Sequence, residues 1–561
     1  MRKEGPVGAA AALALAALLG GPGAGPAAAP QEATETDVDP SPGFDVLHYD
    51  YRVSLAERDP AIEARQRVRF RVDRGGLARV RLHLEGLEVD SALAGGRRVP
   101  ASRTGGAGGA AVSIPLADSA DLRPGDTATV TLFYGGRPED GLILRENVHG
   151  DWTAFADNWP NRARHWFASV DHPADKASVT HRLEVPADWA TVANGVKTAD
   201  RPVGPGRRLH VWRQEAAIPV YTMVIGAGRL AVVDNGRAPD AGRGGHDVPV
   251  TRVVFPEDVE VTAGPFRRSV EMIEIFARLV APFPYRKLAQ VQSATRYGGM
   301  ENAGAIFYSE EALAEGTMSE TTVAHEVAHQ WFGDAVTEAR WTHLWLSEGF
   351  ATYFGAVFHR VADGEERFRR EMREAEEGYL SSDAVGRPVI RPERPAQLTD
   401  LLSANNYEKG GWVLHMLRGV VGDSAFFDGL RRYYEAHRDR AALTRDLRAA
   451  VEEASGRDLG WFFDQWLRRP GHPRLAATWE WLPDQGVLEL DFRQEQEWPP
   501  YRLKVPVSVE TEPGGTLRRS LWIPAERSAT RRVPLPAPPS AVAVDPDNRI
   551  LGPVTVGRAG G

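Results

Sequence analysis

The 561 residues include 42% hydrophobic and 25% charged side chains, an ordinary folded composition that excludes a disordered chain and is too long for one hydrophobic core. A formal net charge of −9, with no long run of basic residues, argues against a nucleic-acid-binding surface. There is no cysteine, which excludes disulfides, thiolate metal sites and a cysteine nucleophile, so any metal must sit on His, Asp or Glu.

In chain order, residues 1–29 begin with Arg2 and Lys3, run apolar from Val7 to Leu19, and turn small and Pro/Gly-rich. That is the order of a secretory signal, with an apolar run too short to span a bilayer. The expectation is export, to a periplasmic or extracellular location, with no integral membrane segment in the mature chain. Residues 30–43 are polar and Pro-containing and read as a linker. Residues 44–256 read as a β domain, because runs such as RQRVRFRVD (Arg65–Asp73) and ARVRLHLEGLEVD (Ala78–Asp90) alternate with a period of two. Gly-rich breaks interrupt them at 104–109 and 234–245. Residues 257–472 change to helical spacing, first from Phe266 to Val280, then around 319–332, 343–361, 364–379, 408–420, 423–437 and 443–454. Alternation returns over 473–556, a length suited to a small β-sandwich, and 557–561 form a tail.

The stretch VAHEVAHQWFGD (Val323–Asp334) carries the chemistry. Four positions apart on a helix, His325 and His329 share a face and can offer two imidazole nitrogens to one ion. Glu326 is rotated from both, so its carboxylate can lean toward water at the metal as a general base without displacing a ligand. Thr317 with Glu320 suits a capping box at the start of this helix, and Gly333 suits its end. In WLSEGFATYF, Glu348 sits among Trp345, Leu346, Phe350 and Phe354, where a carboxylate is costly unless paired or bound to a cation. A second helix folded back on the first supplies Glu348 as third ligand, the His₂Glu set of catalytic zinc sites, with one position left open.

The run HEVAHQWFGD followed by LWLSEGFATY resembles the aminopeptidase N-like zinc metallopeptidases, the leukotriene hydrolase-like gluzincins. GGMENAGAIFY, NNYEKGGWVLHML, FFDQWLRRPGHP and ARHWFASVDHPADKASVTHRLEVP match that family in order, so the resemblance covers essentially the whole mature chain. It implies an N-terminal β-sandwich or saddle, a thermolysin-like, mostly helical α/β catalytic domain and a C-terminal β-sandwich. It also implies one Zn²⁺ per chain and peptide substrates with a free N-terminus. Tyr407 matches the tyrosine that steadies the oxyanion, and Glu301 the carboxylate that binds the substrate's ammonium group. Gly298 and Gly299 allow close backbone approach to substrate. One departure stands out. Where relatives place a second amine-binding side chain this chain has Trp159, and Asn158 beside it, or Asp157, is the candidate substitute. The chain reads as a bacterial-type form without the large C-terminal helical domain of many relatives, which implies a more open cleft. Alternatives on the same fold are a metalloendopeptidase, a catalytically silent peptide-binding protein, and hydrolysis of a lipid epoxide.

Overall fold

The computed structural model describes residues 43–559, except 106–108, 117–120 and 513. The expected secretory signal and the linker up to residue 42 lie outside the described residues.

Phe44–Ala56 and Asp59–Val72 form an antiparallel hairpin at the centre of an eight-stranded sheet. Along the second strand exposed and buried positions alternate from Ala61 to Val72, so the arginines face out and Val68, Phe70 and Val72 face the core. Lys176–Pro186 runs parallel to the first strand and is followed outward by Arg207–Pro219 and Val196–Gly204. Thr127–Gly136, Glu88–Ala94 and Arg97–Val99 extend the other side. A four-stranded and a three-stranded sheet complete this region. The alternating run from Ala78 to Asp90 splits into two strands at Gly86, whose φ of +71° makes the turn.

A five-stranded sheet follows in the order Ala231–Ala238, Val248–Val254, Leu288–Ser293, Ala305–Ser309 and Gly299–Met300. The Gly-rich break expected at 234–245 begins later than its composition suggests. The strand continues through Asp234 to Ala238, absorbing Gly236 at φ +101° in an irregularity of register between Asp234 and Arg237. Gly299–Met300 forms one edge of the sheet.

Helices then dominate: Glu320–His329, Trp345–Ala362, Glu365–Ser381, Gly410–Val421, Asp423–His437, Thr444–Ser455 and Gly460–Leu467. Two facing β sheets, of four and three strands, close the chain between Leu475 and Arg558. The architecture is therefore an N-terminal β region, a helical region on a mixed sheet, and C-terminal β sheets. No helix among the described residues is long and apolar enough to cross a membrane.

Candidate metal centre

The Glu320–His329 helix starts at Ser319, whose Oγ accepts from the Thr322 amide at 3.0 Å. The capping box expected of Thr317 and Glu320 does not form. Thr317 instead donates to the Ala312 carbonyl at 3.2 Å, and Glu320, the first helical residue, pairs with Arg268 at 3.1 Å. Beyond the helix the chain turns at Gly333, φ +122°, where a Cβ would lie 2.5 Å from Ser347 Oγ.

Trp345–Ala362 packs across this helix through Phe350 and Phe354, both stacked with or tilted against Phe332. Glu348 lies in its first turn and is 5% exposed. The next residue, Gly349, abuts Gly410, and a Cβ on Gly349 would come within 2.8 Å of the Gly410 Cα. That glycine contact brings the π-helical turn Asn405–Lys409, and with it Tyr407, beside Glu348.

His325 Nε2 and His329 Nε2 are 3.0 Å apart, and Glu348 Oε2 is 3.3 Å from each. His329 Nδ1 faces the Phe332 carbonyl at 3.1 Å, which places a proton on Nδ1 and directs Nε2 into the cluster. Ser347 Oγ lies 3.1 Å from the same Nδ1. Glu326 and Glu301 join His329 in a second convergent group. Glu326 is 6% exposed, and its Oε2 has no hydrogen-bond partner among the described residues.

Charge within this group is strongly coupled. Burial opposes a proton on His329, but Glu301, Glu348 and Glu326 outweigh it and raise its pKa well above the ordinary value. Burial pushes Glu348 up, yet the charge of His329 and hydrogen bonds from both imidazoles hold it at about 2. Burial drives Glu326 well above the carboxylate range, and lifts Glu301 to about 7 against the pull of His329. Three carboxylates and two imidazoles thus converge, and the nitrogen–nitrogen–oxygen donor set fits zinc. A third convergent trio, Glu320, His359 and Asp363, is already satisfied by Arg268, which bonds both carboxylates at 3.1 and 3.0 Å.

Gly298 is exposed at the rim, and Gly299 lies so close to Glu326 that a Cβ there would meet its Oε1 at 2.3 Å. Tyr407 lies parallel to the His325 ring, with 5.9 Å between centroids, and hydrogen-bonds Glu348. Burial, then Glu348, keeps its phenol protonated far above the usual range.

Asn158 is not part of the cluster. It is fully buried, its Nδ2 donates to the Met223 carbonyl at 2.7 Å, and its Oδ1 accepts from Trp166 Nε1 at 2.8 Å. The substrate-facing role expected of Asn158 is corrected accordingly, because its amide is consumed in holding two backbone segments together.

Three neighbours of the cluster were not singled out from the sequence. Ser347 orients His329. Gln330 donates to the Glu301 carbonyl at 2.8 Å, and Tyr221 hydrogen-bonds the Glu301 side chain. Only Gln330 carried a signal, its place immediately after His329.

The fold and this convergent His-His-Glu group have the donor set of a zinc metallopeptidase centre. Residues 266–466 match the Peptidase family M1 domain. The chain is 29% identical over 349 residues to Aminopeptidase M1 of Arabidopsis thaliana, covering 59% of this chain and 38% of that one. It is 30% identical over 343 residues to Aminopeptidase N of Lactococcus lactis subsp. lactis, covering 56% and 38%. The M1 zinc metallopeptidase of Deinococcus radiodurans superposes with a TM-score of 0.65 at 27% identity, over 76% of this chain and 93% of that one. A mutant of that protein, bound to a Tyr-Ser-Ala substrate, superposes with the same TM-score. Over these regions the chain is similar to the aminopeptidase N-like zinc metallopeptidases. It spans less than half the length of the curated relatives it matches.

Proposed function

We propose that the chain is a zinc-dependent aminopeptidase, exported after loss of residues 1–29, which hydrolyses the N-terminal bond of peptides with a free amine. The observation that carries this reading is the position of Glu301, a buried carboxylate grouped with Glu326 and His329 at the metal-binding cluster. A fixed carboxylate beside the scissile bond selects an ammonium group by charge-assisted hydrogen bonding and excludes a chain that continues past it.

His325, His329 and Glu348 would hold the zinc, which when bound acidifies water and polarises a carbonyl. Glu326 takes a proton from the attacking water at its unpartnered Oε2 and delivers it to the departing amine nitrogen as the C–N bond breaks. Tyr407, kept protonated, donates to the oxyanion. The edge strand Gly299–Met300, with small residues and one free side, supports alignment of an extended substrate. The substrate complex of the Deinococcus radiodurans relative supports a peptide in this cleft.

The test is a panel of aminoacyl arylamides, with their amine-acetylated counterparts and a blocked internal peptide, before and after chelation. The expected result is cleavage of free-amine substrates alone, lost with zinc and restored by it, and abolished in Glu326→Gln. Cleavage of the blocked internal peptide would instead establish a metalloendopeptidase. No cleavage of anything by zinc-loaded protein would establish a silent peptide-binding protein.

A further inference from the structure

At the far end of the Gly410–Val421 helix from Tyr407, roughly 20 Å away by helical rise, a cavity of about 380 Å³ opens between the helical region and the C-terminal sheets. Its walls are unusually cationic. Two acids are present and both are already engaged: Asp423 by Arg418 at 2.6 Å, and Asp547 by Arg369 at 2.7 Å and Arg518 at 3.1 Å. Four more cations line the wall, Arg502, Lys504, Arg519 and Arg549, none in a close ion pair with a carboxylate among the described residues.

Three of these four are placed by something other than an anion. The Arg502 guanidinium stacks over Trp461 and Trp522, 4.5 and 4.9 Å from their ring centres, which fixes its plane. Lys504 Nζ donates to the Gly419 carbonyl at 2.9 Å, and burial, then the charge of Arg457, lowers its pKa. Arg519 reaches only the Arg518 carbonyl, at 3.5 Å. The Arg549 backbone donates to Asp545, and its guanidinium makes no close ion pair among the described residues, although its charge acts on Asp423 and Asp545. Holding four like charges around one cavity costs stability unless something of opposite sign enters. The volume admits a ligand of small-molecule size.

We propose that this cavity binds a small organic molecule carrying two or more phosphate or carboxylate groups. The planar guanidinium groups suit bidentate contact with either oxyanion, and the walls between them are partly apolar, formed by Val420, Phe462 and Ile550. The site is separate from the metal centre and independent of the peptidase reading.

Isothermal titration of the zinc-loaded full chain at low salt tests the proposal, with fructose 1,6-bisphosphate and tricarballylate as probes and fructose as the neutral control. The expected result is one-to-one binding of at least one polyanion, weakening as salt rises, with no heat from fructose. Arg549→Ala, and Arg519→Ala with Arg549→Ala, should weaken that binding by about tenfold or more while arylamide turnover is unchanged. The stronger of the two probes identifies phosphate or carboxylate as the preferred group. Absence of binding by both polyanions up to about 1 mM overturns the proposal, as does binding that neither variant alters.

Discussion

At the scale of single residues, the cluster shows how one environment assigns different tasks to similar groups. Glu348 is held ionised by two imidazoles, whereas burial lifts Glu326 and Glu301 toward a proton. Tyr407 tests the division, because its hydroxyl supplies a hydrogen bond without supplying a ligand. Tyr407→Phe should lower kcat by about a hundredfold or more, with little change in KM and unchanged zinc content; a variant that keeps its kcat would remove the phenol from the mechanism. Glu338 presents the opposite case, a carboxylate 1% exposed that is bonded by no other side chain or segment among the described residues. Burial, opposed by its own backbone amide and His329 but reinforced by Glu301 and Glu348, raises its pKa well above 4.5. The unfolded chain ionises there first, so the folded state carries a penalty that begins near pH 4.5 and grows until the buried group ionises. Glu338→Gln should therefore raise Tm more at about pH 7.5 than at about pH 4.5, and a gain equal at both would refute this account. The convergence of His325, His329 and Glu348 was legible because helical period and one costly carboxylate pointed to it. Asn158 was misjudged because a linear sequence does not reveal that Met223 and Trp166 already occupy its amide.

At the scale of elements, local patterns were read well and contacts between distant segments were not. Alternation from Arg65 to Asp73 marked a strand, which the structure runs from Asp59 to Val72, and each helical run from 319 onward produced a helix. The start of the metal-binding helix was displaced to Ser319 because serine and threonine compete for the same capping role, and tertiary contact through Arg268 drew Glu320 away. The approach of Gly349 to Gly410 had no local signature, since each glycine lies inside a good helical pattern. Its effect on the site is direct, because it sets the spacing between the helix bearing Glu348 and the turn bearing Tyr407. Gly349→Ala should push the two backbones apart, destabilise the protein by about 1–3 kcal/mol and reduce kcat through Tyr407. Retention of both stability and turnover would show that the helices do not need this proximity. The cationic cavity was equally invisible, assembled as it is from separate segments whose arginines look individually like ordinary solvated charges.

At the scale of the whole molecule, the N-terminal β region grips the loops that carry the metal centre. Lys176 Nζ donates to the carbonyls of Asp334 and Ala335 at 2.7 and 2.8 Å and to Thr337 Oγ1 at 3.0 Å. Asn194 Nδ2 donates to the Ala303 carbonyl at 2.9 Å, and the Tyr221 hydroxyl to the Gly333 carbonyl at 3.2 Å. Zinc binding and the β region should therefore stabilise each other. Scanning calorimetry before and after chelation should show the β region's transition falling in temperature together with that of the helices; a β transition unmoved by metal removal would show that the grip is weak. The direction of synthesis gives the same contacts a temporal meaning. Lys176, Asn194 and Tyr221 all leave the ribosome before the segment from Ala303 to Thr337, and N-terminal regions generally fold first. Lys176 therefore precedes the carbonyls it must receive wherever the chain emerges in that order, and a β structure formed first would serve as an internal mould for the half that carries the metal centre.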